Sequence, residues 1–245
     1  MLENIPSDKK KFYDSVCDGI SLERIEAYRL EEDVDELDAV ARYLWNIALC
    51  EALYPCLQSF EVALRNAVHA CMARRYGAAW FQAVQPLRRL EQGKVDDAEN
   101  SLRNQGKPIE PGRIVAELTL GFWTGLFVHE YDRAIVIPLM QSGFRKFPTA
   151  LRNRRTLYER FEDVRYLRNR VFHYEPIWYW KDLPQRHKAL IDDIGFINPE
   201  TGKLASHLDR FTQVHVQGWK QYREWIEKEF LLPPENSTVS TEEPS

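Results

Sequence analysis

Leu157, Phe161, Val164, Leu167 and Val171 recur at spacings of four, three, three and four, and Pro176 follows closely. That spacing lays all five on one face of a helix. Helices usually end at or before the residue preceding a proline. The stretch from Thr149 onward is therefore read as a long amphipathic helix, with His173 in or just past its last turn. No segment of the chain alternates apolar and polar residues over strand length, and no internal repeat of fixed period occurs. The expected fold class is all-α, with one main helical bundle.

The wheel singles out one residue. At about 100° per residue, Arg168 falls inside the apolar arc, between Leu157 and Phe161. A guanidinium on such a stripe is costly unless it is paired and hydrogen-bonded. Asn169 and His173 lie further round, His173 about 140° from Arg168 if the helix stays regular.

The length of 245 residues suits one large or two small domains. The segments expected are a lead-in with a short helix over 1–32, a helical domain over 33–230 and a disordered tail over 231–245. Residues 1–20 are polar and lack clear periodicity, so they read as loosely attached. Ser21 is placed to cap a short helix through Leu30. A long apolar-periodic stretch starts at Asp33 and is expected to be interrupted or kinked at Pro55, with a second helix from about Cys56 to Tyr76. Glu61 and Arg65 stand at i, i+4 on it, either as an intrahelical ion pair or as support for the Arg168 site. Leu87–Asn104 reads as a polar helix, and Gly106–Gly112 as a turn cluster. Arg113–Val128 reads as an apolar helix interrupted by Gly121 and Gly125, with Trp123 buried. Helices are also expected in Leu183–Gly195 and Leu204–Phe230. Trp178, Tyr179 and Trp180 either pack the exit of the motif helix or stack bases.

Charge is unevenly spread. Ser21–Asp38 holds eight acidic and two basic residues, whereas Arg145–Arg170 holds nine basic and three acidic ones. Such asymmetry is what a nucleic-acid binder would show, although solvated helix faces produce it too. The acidic segment near Glu31–Asp38 could also pair with the basic helix in a plain helical scaffold. No apolar run approaches the roughly 20 residues of a membrane span, and the start lacks a signal-peptide core. A cytoplasmic protein without a membrane segment is expected. Cys17, Cys50, Cys56 and Cys71 show no Cys-x2-Cys spacing, and no histidine pair stands at ligand spacing nearby. No metal or cofactor is expected.

The chain has no Gly-x4-Gly-Lys-Ser/Thr loop, no Gly-x-Gly-x-x-Gly after a strand and no His-Glu-x-x-His. It also has no Gly-x-Ser-x-Gly or kinase signature. What remains is an Arg and a His at a helix end. Arginine presents a permanent charge suited to a phosphate, and histidine titrates near neutrality. Together they suffice to cleave RNA without a metal: the His takes the ribose 2′-OH proton, and the Arg stabilises charge on the attacked phosphate.

Arg168-Asn169-Arg170-Val171-Phe172-His173 resembles the Arg-x4–6-His motif of the HEPN superfamily. Phe60-Glu-Val-Ala-Leu-Arg65-Asn66, Glu117-Leu-Thr-Leu-Gly121-Phe-Trp123 and the motif, in that order, resemble the Abi-like (abortive infection) family of bacterial phage defence. The resemblance covers roughly Asp33 to Trp180. It implies a HEPN-like bundle with additional N- and C-terminal helices, acting as a metal-independent, toxin-like endoribonuclease. It further implies a homodimer in which two motifs form one composite site on RNA, and it leaves room for an antitoxin or a phage-derived trigger. His173 would be the general base or acid, Arg168 the phosphate and transition-state binder, and Asn169 the positioning group. Arg165 and Arg170 would contact the RNA backbone. Many relatives in the superfamily have lost activity, so a catalytically silent module binding RNA or a partner protein is the alternative.

Overall fold

A computed structural model of the chain describes residues 5–30, 34–82 and 87–231. Among the described residues the chain is all-helical, without strands. The expected disordered tail lies outside them, apart from Leu231. Two compact units emerge, one of residues 1–49 and 213–245, the other of residues 50–212.

In the first unit, helix α1 (Ile5–Ile20) replaces the loose lead-in. Phe12, Val16 and Ile20 stand four apart, a stripe too short to stand out among lysines and aspartates. Tyr13, 3% exposed, donates to Glu26 Oε1 at 2.8 Å. Ser21 does cap α2 (Leu22–Glu26), accepting from the Arg24 amide. Helix α3 (Glu36–Tyr76) begins in this unit. Trp45 Nε1 donates to the Val214 carbonyl at 3.0 Å, and Arg42 covers the Trp219 ring. Asp35 and Asp38 meet Arg223, while Lys10 lies 3.6 Å from Glu36. Among the described residues the acidic segment thus finds its partners here, not on the basic helix; Glu31–Asp33 lie outside them.

Helix α3 runs through Pro55 without interruption. Proline removes one donor and leaves the carbonyl of residue 51 without it. Glu51 is exposed and Pro55 faces the same side, so the loss falls toward water and not in the core. Ser59 Oγ also donates to the Pro55 carbonyl at 2.7 Å. The same helix contains an 18-residue window of mean hydropathy 1.3, apolar enough to span a bilayer by length and composition, with 44% of that window buried. The expectation that no run approaches such a length is corrected here. A core helix meets the same measure.

The second unit contains α4 (Arg89–Asn104), α5 (Pro111–Glu117), α6 (Leu120–Gly125), α7 (Ile137–Ser142), α8 (Arg154–Phe172), α9 (Leu183–Ile197) and α10 (Pro199–Leu208). The expected Arg113–Val128 helix breaks at Leu118–Thr119, and Gly121 and Gly125 lie inside α6 instead. Trp123 is fully buried, its Nε1 donating to the Leu118 carbonyl. The Leu204–Phe230 stretch divides into α10, α11 (Phe211–Gln217) and α12 (Lys220–Ile226). Asp209 caps the Phe211 amide, and Gly218 takes a left-handed φ of 70°.

Phe161 of α8 is the hub of the core. Its ring meets Phe60, Phe127, Phe144 and Phe147 at centroid distances of 5.4, 4.9, 6.0 and 6.2 Å. All four approach within the edge-to-face range that aromatic quadrupoles favour. Leu157, Val164, Leu167 and Val171 are buried on the same face, as their spacing required. Arg160 Nε joins α8 to Asp193 of α9 at 2.9 Å. Burial pushes that carboxyl up to about 6, although Arg160 pulls it down.

Candidate functional site at the end of the motif helix

Helix α8 starts at Arg154, not Thr149, because Asn153 caps it. The Asn153 side chain accepts from the Thr156 amide at 3.0 Å. Capping by Asn is worth roughly 1 kcal/mol. The other end closes as Pro176 demands. The Tyr174 amide bonds the Val171 carbonyl at 3.2 Å and the Glu175 amide bonds Arg170 at 2.9 Å. This is the Schellman pairing, with His173 as C-cap. Tyr174 occupies the left-handed position, φ 59°, where glycine is usual.

Arg170 secures this turn. Its guanidinium donates to the Pro176 carbonyl at 2.5 Å, pairs with Glu175 at 3.0 Å and lies 5.5 Å from the Trp180 ring. Trp180 also stacks on Tyr166 at 5.5 Å with 5° between planes, and Arg186 approaches its ring. Packing therefore accounts for Trp180.

His173 is exposed at the helix end and Asn169 is half-buried. Arg168 is 28% exposed along its side chain, at the rim of the apolar face. Its Nε lies 3.6 Å from Glu61 Oε2, and its guanidinium sits 4.3 Å from the Phe172 ring. That Nε is buried without a hydrogen bond, as is Nε of Arg65. Glu61 therefore supports Arg168; among the described residues it makes no ion pair with Arg65. The costly arginine is held by one carboxylate and one aromatic face.

Sequence reasoning missed Tyr54. It stands seven residues before Glu61 and eleven before Arg65, on the same face of α3. Its ring lies 5.8 Å from Phe172. Tyr54, Phe172 and Tyr174 are 48%, 39% and 72% exposed, so an aromatic surface surrounds the motif. The i, i+7, i+11 spacing was readable, but nothing local told that this face meets α8.

The third resembled segment also reaches α8: a Cβ placed on Gly121 would lie 3.7 Å from Arg165 Cδ. Arg165 is held by Glu162 through contacts of 2.5 to 3.0 Å. Burial opposes ionisation of Glu162, but the Arg165 bonds keep its carboxyl below the usual range. Six of the nine cations in Arg145–Arg170 have carboxylate partners: Arg154, Arg155, Arg160, Arg165, Arg168 and Arg170. The basic stretch is thus largely neutralised within the protein. The helix is regular to Phe172, and no hydrogen bond joins Arg168 to His173. Comparison with family models, with curated proteins and with solved structures finds no match to this chain.

Proposed function

We propose that this chain is a metal-independent endoribonuclease of the HEPN superfamily, of the Abi-like kind that acts in abortive infection. One observation carries the reading: Glu61 of the Phe60–Asn66 segment meets Arg168 of the motif. Two stretches linked only by resemblance thus converge beside an exposed histidine. In this reading His173 takes the proton from the 2′-OH and returns one to the leaving oxygen. Arg168 stabilises the developing phosphate charge, with Glu61 and Phe172 holding its orientation. Asn169 positions the substrate. Arg170 holds the turn that presents His173, and Arg165 is tied to Glu162 unless RNA displaces it.

A regular α8 keeps Arg168 and His173 about 140° apart, which favours a homodimer in which each site draws on both motifs. A second reading, a catalytically silent module that binds RNA or a partner protein, is favoured by the internal neutralisation of the basic stretch. The test is incubation of purified protein with RNA in EDTA, alongside Arg168→Ala and His173→Ala, with folding checked by circular dichroism and mass by light scattering. Cleavage leaving cyclic phosphate ends, abolished in both folded variants, supports the nuclease. Tight RNA binding by wild type without cleavage leaves the silent module. If Arg168→Ala alters neither RNA binding nor self-association, the site is wrong.

A further inference from the structure

Away from the motif, three residues distant in sequence converge inside the second unit. Cys56 of α3, His187 of α9 and Asp209, between α10 and α11, bring Sγ, an imidazole nitrogen and a carboxylate oxygen within 4.8 Å of one another. We propose that Cys56, His187 and Asp209 bind a divalent cation of the zinc class, with water completing the coordination.

The donor set is the first reason. Thiolate, imidazole and carboxylate are all zinc ligands, at about 2.0–2.3 Å, which places neighbouring donors about 3.3–3.8 Å apart in a tetrahedron. His187 Nε2 and Asp209 Oδ1 are already 3.0 Å apart. Seating a cation needs only small side-chain movements.

The second reason is the burial of the thiol beside the other two donors. Cys56 is 0% exposed, and its Sγ has no hydrogen bond among the described residues. It lies within 4.8 Å of the Asp209 carboxylate, whose charge a cation would neutralise. A coordinated thiol loses its proton outright.

The ligands are also held from behind. The His187 ring stacks on Phe211 at 4.3 Å, and Asp209 Oδ1 accepts from the Phe211 amide at 3.0 Å. Such backing orients metal ligands. With Cys56 and His187 buried, the cation would fasten α9 and the α10–α11 turn to α3 instead of meeting a substrate, and its binding would stabilise the fold.

Cobalt reports on the site directly. One equivalent of Co²⁺ added to reduced, metal-stripped protein should produce a thiolate-to-cobalt charge-transfer band. Cys56→Ser should lose that band and Cys50→Ser should keep it. Zn²⁺ should abolish the band by displacement and raise the melting temperature. No band in wild type, a band surviving Cys56→Ser, or one lost equally in Cys50→Ser overturns the proposal. If Cys56→Ser does not fold, Asp209→Asn decides, since it keeps the thiol: weaker cobalt binding supports the site, and unchanged binding overturns it. None of these readouts depends on RNA cleavage.

Discussion

Replacing Arg170 by Ala separates two roles that a basic residue beside the motif can play. In the structure its guanidinium bonds the Pro176 carbonyl, pairs with Glu175 and covers Trp180. A hydrogen bond from a charged donor contributes about 1.5–3 kcal/mol. The Glu175 pair contributes about 0–1 kcal/mol, because that carboxylate is 47% exposed. The ring contact adds roughly 0.5–1 kcal/mol. These terms share one side chain and do not sum fully, so the expected loss is about 2–3 kcal/mol. Urea denaturation followed by tryptophan fluorescence measures it. Arg170→Lys should recover little, because an ammonium cannot reproduce the fork that reaches a carbonyl and a carboxylate together. Stability within about 0.5 kcal/mol of wild type would refute the turn-holding role. If the salt slope of RNA binding fell by about 0.7 in the same variant, Arg170 would be a phosphate contact.

Tyr174→Gly should raise stability by about 0.5–1 kcal/mol, since relief of a left-handed L-residue outweighs the extra entropy of the unfolded glycine; thermal or urea melts show whether it does. Asp193 makes a pH prediction. Its folded value, about 6, lies above the 3.8 of an ordinary aspartate, so its contribution to stability is fully present below about pH 3.8 and is lost as pH rises through 6. The stability of wild type relative to Asp193→Asn should therefore fall across that window by on the order of 3 kcal/mol. A difference that stays flat from pH 4 to 7 would mean that the carboxyl is not buried as seen.

Much of the motif helix was legible in the chain. Five apolar residues at helical spacing define its buried face, Pro176 its end and Arg168 its anomaly. All three are local signals, repeating within a few turns. The α8 start was misread because Thr149 continues an acceptable pattern, whereas the Asn153 cap depends on one side chain turning back to Thr156. Pro55 was misread for another reason. Its penalty depends on whether the lost bond faces core or water, and only the packed bundle reveals which.

The candidate site divides the same way. Local pattern alone established an all-α chain and an Arg and a His at one helix end. It offered support of Arg168 by Glu61 only as one of two alternatives, could not decide that pairing across more than a hundred residues, and gave no sign that Tyr54 meets Phe172. It could not gather Cys56, His187 and Asp209, because metal-spacing rules recognise ligands that share a turn. Helices form from nearest neighbours, so their periodicity is written in order along the chain. Which faces meet is decided by volume, burial and charge pairing between distant segments, and those exist only once the bundle has closed.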